Sequence, residues 1–302
     1  MSHEQRIALD TLLRGAPEPI AQVPVEQMRE SFATLMGTFP IPTGVTQTPI
    51  ELAGRSAILV EPEGDTAPGT ILYFHGGSFS LGSPATAMVL TANLVTRTTV
   101  RAISLDYRLA PEHPFPAGID DCVAAYRSLL ESGIDPESIV FAGDSAGGGL
   151  TVTTCLAARD QGLPMPGAIA AFSPGLDHTR SGASMSTKEG IDPLLTREAL
   201  GRTGEMYLGG QDPNQPLLAV PVLADLAGLP PILLQVGTNE LLLDDSVRLA
   251  ERAREADVDV ILDITAGVPH VFQSWADTLD EADEALDRAA LFLTQHLRAR
   301  GR

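Results

Sequence analysis

Apolar residues along this chain follow two rhythms. Residues 70–74, 100–105, 139–142, 168–172, 231–236 and 258–265 are short, nearly unbroken apolar runs rich in β-branched and aromatic side chains. Such runs, bounded by Gly, Pro or polar clusters, read as strands buried on both faces. Between them, residues 85–96, 118–132, 150–158, 246–256 and 276–298 carry apolar residues at helical spacing. Strand and helix alternate five times, which predicts a mainly parallel sheet with helices on both faces. Ahead of this pattern, residues 46–52 and 56–62 read as two strands around a Gly54-Arg55 turn.

Two stretches stand apart from the alternation. Residues 7–13 and 25–36 are weakly amphipathic, the second with Val25, Met28, Phe32 and Leu35/Met36 at helical spacing, and Pro17, Pro19, Pro24, Pro40 and Pro42 break the region up. An apolar stripe on a short helix implies packing, so the first 45 residues read as an appendage over something larger. From 175 to about 228 sheet character is lost, and only short helical pieces at 196–207 and 217–226 remain. Structureless insertions of that length usually serve as lids or binding elements. No repeat or low-complexity tract is present. A chain of 302 residues suits one large α/β domain or two small ones.

The segment from Ser138 to Gly149, S-I-V-F-A-G-D-S-A-G-G-G, passes from an apolar run through Gly143-Asp144-Ser145-Ala146-Gly147 into a helical pattern. Strand, tight G-x-S-x-G turn and helix form the context of a nucleophile elbow, which lifts Ser145 to the carboxyl end of the sheet. The plainer alternative is a connection with a capping serine. His75-Gly76-Gly77-Ser78 ends another buried run, and glycines there let backbone amides face a ligand closely.

A serine nucleophile needs a base, and the base an orienting acid, in the order Ser, acid, His for this kind of elbow. His178, His270 and His296 follow Ser145. No acid on an earlier strand-end loop precedes His178 in that order, and His296 sits on the amphipathic closing helix. His270 follows the last strand, and the loop 237–245 before it offers Glu240, Asp244 and Asp245. Loops at strand carboxyl ends share one edge of such a sheet, so these groups should converge.

Charge narrows the partners. The net charge is −19, and no basic cluster offsets it, which argues against nucleic acid and anionic membrane surfaces. No run approaches 18 apolar residues, so no membrane span is expected, and residues 1–14 lack a signal-peptide pattern. A cytoplasmic protein is expected. Cys122 and Cys155 lie in separate apolar helical patterns and read as reduced core thiols. No spacing suggests a structural zinc site, and no cofactor is implied.

Together, His75-Gly76-Gly77-Ser78, Asp106-Tyr107-Arg108-Leu109-Ala110-Pro111-Glu112 and Gly143-Asp144-Ser145-Ala146-Gly147-Gly148 resemble the hormone-sensitive-lipase family of bacterial esterases, over nearly the whole chain. The resemblance implies a single α/β-hydrolase domain over residues 1–302, with a helical cap from about 1–45 and 175–228. It implies Ser145 as nucleophile, His270 as base, and the amides of Gly76, Gly77 and Ala146 as oxyanion hole. The family's acid motif, Asp-Pro-Leu-x-Asp, aligns with Glu240-Leu241-Leu242-Leu243-Asp244, which points to Glu240, with Asp244 as runner-up. Asp192-Pro193-Leu194-Leu195 spells the motif better but precedes the strand that must carry the acid. It is expected to cap a helix or shape the pocket rim.

The implied chemistry is hydrolysis of short- to medium-chain carboxylic esters through an acyl-enzyme, without metal or cofactor. Lactone, carbamate or amide hydrolysis remains open. So does a binding module without catalysis, as in the plant gibberellin receptor, which keeps the fold and loses the base. Met28, Phe32, Met36, Phe79, Met206 and Tyr207 are candidates for the pocket lining or, equally, for cap core. His75 is expected to brace the glycine loop, His113 and Glu112 to anchor the proline-dense loop, and Asp144 to hydrogen-bond within the elbow. A homodimer through residues 258–262, as edge strand, is also implied.

Overall fold

The apolar runs form a single eight-stranded sheet, in a computed structural model that describes residues 2–15, 23–214 and 217–297. Its strands are β1 (Val45–Leu52), β2 (Arg55–Pro62), β3 (Ala67–Phe74), β4 (Val100–Leu105), β5 (Ile139–Asp144), β6 (Ala168–Phe172), β7 (Ile232–Gly237) and β8 (Val260–Thr265), in the order β1-β2-β4-β3-β5-β6-β7-β8. The β1–β2 and β2–β4 pairs are antiparallel, and every pair from β4–β3 to β7–β8 is parallel.

Each central strand is apolar throughout because both its faces are covered. Leu72 and Phe74 of β3 join Phe141 of β5 in one core, with Ile119 and Cys122 of α4 (Ala117–Glu131), Leu150 and Cys155 of α5 (Ala146–Asp160) and Leu249 of α8 (Leu243–Glu255). Their alternate neighbours Ile71, Tyr73 and Val140 face a second core, built on Leu90 and Leu94 of α3 (Met88–Thr98) and Leu286 and Phe292 of α9 (Asp280–His296). Side chains that alternate across a strand thus feed two separate helical layers. Both cysteines are buried and unpaired.

The N-terminal helices lie at the carboxyl side of the sheet. α1 (Ser2–Arg14) places Leu9 against Val268, Phe272 and Leu279, and Arg6 pairs with Glu281 at 3.1 Å. Arg14 donates to the Gly190 and Ile191 carbonyls at 3.1 and 2.6 Å. From α2 (Val25–Met36), Arg29 makes a two-pronged contact with Glu112, 2.7 Å on each arm, and donates to the Ser80 and Ala110 carbonyls. Glu112 therefore anchors the proline-dense loop, as expected; among the described residues His113 contributes only its amide, bonded to the Leu109 carbonyl.

Several boundaries differ from the sequence expectation. α5 starts at Ala146, immediately after the serine, and its first turn contains three glycines. α8 starts at Leu243, three residues early. The piece expected as a helix over 217–226 is instead two 3-10 turns, Leu217–Ala219 and Pro221–Leu223, because Pro221 lacks the amide a continuous helix needs. The closing helix, expected from 276, starts at Asp280 as α9, after a 3-10 turn at Phe272–Trp275. Pro17, Pro19 and the expected end of the closing helix at Arg298 lie outside the described residues. Among the described residues no helix is long and apolar enough to cross a membrane.

Candidate active site

Ser145 sits at the apex between β5 and α5 with φ 52° and ψ −117°. That region is unfavourable for a residue with a Cβ and persists only where neighbours enforce it. Here the Ser145 amide donates to the Phe172 carbonyl of β6 at 2.8 Å, and its carbonyl accepts from Gly149 and Gly175, each at 3.0 Å. The hydroxyl is left half-buried at the sheet's carboxyl edge.

His270 comes to this edge from the loop after β8. Its Nε2 lies 2.9 Å from Ser145 Oγ and its Nδ1 2.8 Å from Glu240 Oε2. His270 is 7% exposed and Glu240 fully buried. The other Glu240 oxygen accepts from the Gly237 amide at 2.5 Å and from Ser173 Oγ at 3.0 Å. Burial alone would lower the His270 pKa, but the hydrogen bond and charge of Glu240 outweigh it and leave it raised above the ordinary histidine value. The imidazole is thus oriented, with one nitrogen presented to the serine.

Ser173 is a contributor that sequence reasoning passed over. Its hydroxyl donates to Glu240 and accepts the Val271 amide at 3.0 Å, so one side chain ties the acid loop to the histidine loop. Its left-handed backbone, φ 46°, sits at the end of β6. The only hint in the sequence is a polar residue ending an apolar run.

Asp244, the runner-up, lies elsewhere. Its carboxylate accepts the Ser184 amide at 2.9 Å at the start of α6 (Ser184–Thr187), and no hydrogen bond joins it to His270. Asp192 takes a third position. It accepts from the amides of Leu194, Leu195 and Leu241 at 2.9, 2.9 and 2.8 Å, and so shapes the loop that carries Glu240. It does not cap α7 (Arg197–Leu208), because Thr196 accepts the Ala199 amide there.

The glycine loop after β3 faces the elbow. Gly77 has φ 117°, and a Cβ on it would lie 2.3 Å from the Leu81 carbonyl oxygen, so only glycine fits. The Gly76 amide donates to Asp144 Oδ1 at 3.1 Å, and the Tyr73 hydroxyl donates to the same oxygen at 2.8 Å. Burial pushes the Asp144 pKa up to about 6. His75 stacks on Tyr107 at 4.2 Å and donates from Nδ1 to the Gly76 carbonyl at 2.7 Å. Burial lowers its pKa to about 4, so it stays neutral and braces the loop. Ala146, whose amide belongs to the first turn of α5, completes the rim.

A small space opens over Ser145, and a larger one adjoins it through shared lining residues. The inner one, about 20 Å³, is bordered by Ser78, Phe79, Ser145, Ala146, Arg180 and Leu242 among others. The outer one, about 340 Å³, shares His178, Arg180, Leu200 and Gly204 with it. Phe79 is the only one of the six proposed lining residues that borders either space. Tyr207 lies behind it as stacked core, 4.0 Å between ring centres. Among the described residues no group of three or more His, Cys, Asp or Glu side chains converges to hold a metal.

Comparison with known proteins identifies the fold and the family. A family described as "alpha/beta hydrolase fold" matches residues 71–274. An acetyl-hydrolase of Streptomyces hygroscopicus is 43% identical over 224 residues, covering 74% of this chain and 75% of that protein. An esterase of Acinetobacter venetianus is 38% identical, covering 88% of each chain. A crystal structure described as a hormone-sensitive lipase from a metagenome library superposes with a TM-score of 0.91 at 41% identity, over 98% of this chain and 99% of that one. The chain belongs to the α/β-hydrolase family, among its hormone-sensitive-lipase esterases.

Proposed function

We propose that the protein is a serine carboxylesterase in which Ser145, His270 and Glu240 act as nucleophile, base and orienting acid. The observation that carries this reading is the continuous relay from Glu240 Oε2 through His270 to Ser145 Oγ, with 2.8 and 2.9 Å links. His270 takes the Ser145 proton as Oγ attacks the ester carbonyl. The resulting oxyanion is held by the amides of Gly77 and Ala146, with Gly76, already engaged by Asp144, contributing less. Each donor in such a hole is worth about 3–4 kcal/mol in the transition state. The protonated His270 then returns the proton to the departing alcohol, and water repeats the sequence on the acyl-enzyme.

The residues about 1–45 and 175–228 act as the cap in this reading. Their support is that Arg14, Arg29 and Arg202 reach across to the Gly190 carbonyl, the proline-dense loop and the Val23 carbonyl respectively. The cap's α7 closes the inner space with Leu200 and Thr203. A space of about 20 Å³ holds little more than one water, which favours small acyl groups and leaves the outer space for the rest of the substrate. The relatives named acetyl-hydrolase and esterase are consistent with that preference.

A fluorophosphonate should label one serine per chain in the parent protein and none in Ser145→Ala. p-Nitrophenyl acetate should exceed the octanoate in kcat/KM by roughly tenfold or more, the discrimination a tight apolar pocket supplies. Equal rates along the series would discard the small-acyl reading. Absence of labelling would discard the enzyme and favour a binding module.

A further inference from the structure

Arg180 stands out in a protein of net charge −19. It borders both the space over Ser145 and the larger one beside it, and no hydrogen bond or ion pair joins its guanidinium to another described residue. Arg248, which reaches the same turn, is committed to Asp177 at 2.6 Å, and elsewhere Arg108 pairs with Asp121 at 2.8 Å and Arg29 with Glu112 at 2.7 Å. The two carboxylates whose charge Arg180 feels are occupied as well. Asp177 is taken by Arg248, Thr179 and Ser181. Asp245 accepts the amides of Leu176 and Asp177 at 2.7 and 3.0 Å, and burial pushes its pKa up to about 7, which weakens it as a counter-charge.

A second unpartnered donor faces the same void. His178 Nδ1 is sealed from solvent and has no hydrogen-bond partner. Burial lowers the His178 pKa to about 3, so the ring is neutral and can present an N–H. At Gly204 of α7, the point a Cβ would occupy lies 3.8 Å from His178 Nδ1 and 4.0 Å from Arg180 Nη2. Both groups therefore lie against the same turn of α7, where the missing side chain of Gly204 leaves their polar atoms uncovered. The backbone that presents them is fixed. Arg180 has φ 55°, and buried Asp177 accepts the Thr179 and Ser181 amides at 2.8 and 3.2 Å around that turn. His178 packs against the stacked pair Phe79 and Tyr207, with ring centres 5.2 and 4.7 Å away. A half-buried cation without a partner is costly unless a ligand supplies the missing charge.

We propose that Arg180 and His178 form a carboxylate-recognition site, so that this enzyme's preferred esters carry an anionic group in the part that reaches the outer cavity. The inference rests on the esterase reading and deepens it. Guanidinium and carboxylate match in a planar, two-pronged contact, and His178 Nδ1–H supplies a third donor. Glu205 borders only the outer space, whereas Arg180 and His178 border both.

The test compares two matched ester pairs. One places the charge on the acyl side, 4-nitrophenyl hydrogen glutarate against 4-nitrophenyl pentanoate. The other places it on the alcohol side, 4-acetoxybenzoate against its methyl ester. The expected result is that in at least one pair the carboxylate ester has the higher kcat/KM. Arg180→Gln should lower that charged-to-neutral ratio by about tenfold or more, the usual scale for a lost charge-assisted contact. Gly204→Ala, which sets a methyl group 3.8 Å from His178 Nδ1 and 4.0 Å from Arg180 Nη2, should lower the same ratio if Arg180→Gln fails to fold. A neutral preference in both pairs, or a ratio unmoved by either folded variant, overturns the proposal while neutral-ester turnover keeps the esterase reading intact. Loss of all turnover together with loss of fluorophosphonate labelling in the parent protein overturns both.

Discussion

Glu240→Gln should lower kcat for p-nitrophenyl acetate by about 10⁴-fold, the scale seen when a triad acid becomes an isosteric amide. The reason is tautomeric. One Glu240 oxygen accepts two donors, the Gly237 amide and the Ser173 hydroxyl, while the other accepts only His270 Nδ1–H. A glutamine keeps its carbonyl oxygen toward the two donors, since a buried unpaired donor costs about 1–3 kcal/mol. Its NH₂ then faces His270 Nδ1, which must accept. The ring proton moves to Nε2, where it points at Ser145, and the base is lost. The pH profile gives an independent readout. Activity needs neutral His270, and its pKa is raised by Glu240, so kcat/KM in the parent falls as pH drops through a value above the ordinary histidine figure of about 6.5. In Glu240→Gln the residual activity should lose that support, and its acid limb should move to lower pH. Asp244→Asn should stay within about threefold of the parent, because Asp244 is bonded to the Ser184 amide and not to His270. A reversed pattern, with Asp244→Asn inactive and Glu240→Gln active, would reassign the acid.

The parts of this site that were legible in the sequence are those fixed by the chain's local order. Ser145 is framed by a strand, two glycines and a helix, and His270 is the histidine that follows the last strand with an acid-bearing loop before it. The glycine loop proposed as the oxyanion hole is readable because glycines directly after a buried run have few other uses. What stayed hidden depends on distance across the fold. Ser173 bridges β6, the Glu240 loop and the His270 loop, and nothing local marks it, since a serine ending a strand is ordinary. Asp192 illustrates the converse. Its sequence spells an acid motif, yet the fold turns it onto the Leu241 amide, next to the residue hydrogen-bonded to His270. Arg180 and His178 look like loop residues until α7 closes over them with a glycine. Helix starts were misjudged where propensity and tertiary contact disagree. The first turn of α5 contains Gly147, Gly148 and Gly149, poor helix formers that close packing requires.

That close packing makes Gly147→Ala the most damaging single methyl addition expected in this chain. A Cβ at Gly147 would lie 1.9 Å from the Phe74 carbonyl oxygen and 2.5 Å from that of His75. Both are backbone atoms at the end of β3, in the centre of the sheet, so neither can rotate away as a side-chain tip would. Relief requires α5 to lift off β3. That movement would separate Ser145 from His270 and open the core that Leu150 and Phe141 share. Inserting a methyl group into a packed core typically costs about 1–3 kcal/mol, and a clash with fixed backbone should exceed that, to about 4 kcal/mol or more. Against a total stability of about 5–15 kcal/mol, the variant should melt at least about 10 °C below the parent or accumulate as insoluble chain. The matched control is Gly201→Ala on α7, where a Cβ meets nothing within 4 Å. There the gain in helix propensity should stabilise by about 0.5–1 kcal/mol. Thermal denaturation of the two variants beside the parent separates the cases. A Gly147→Ala protein that melts with the parent would mean the helix approaches the strand less closely than the elbow requires, and that Ser145 is not held at its apex by this contact.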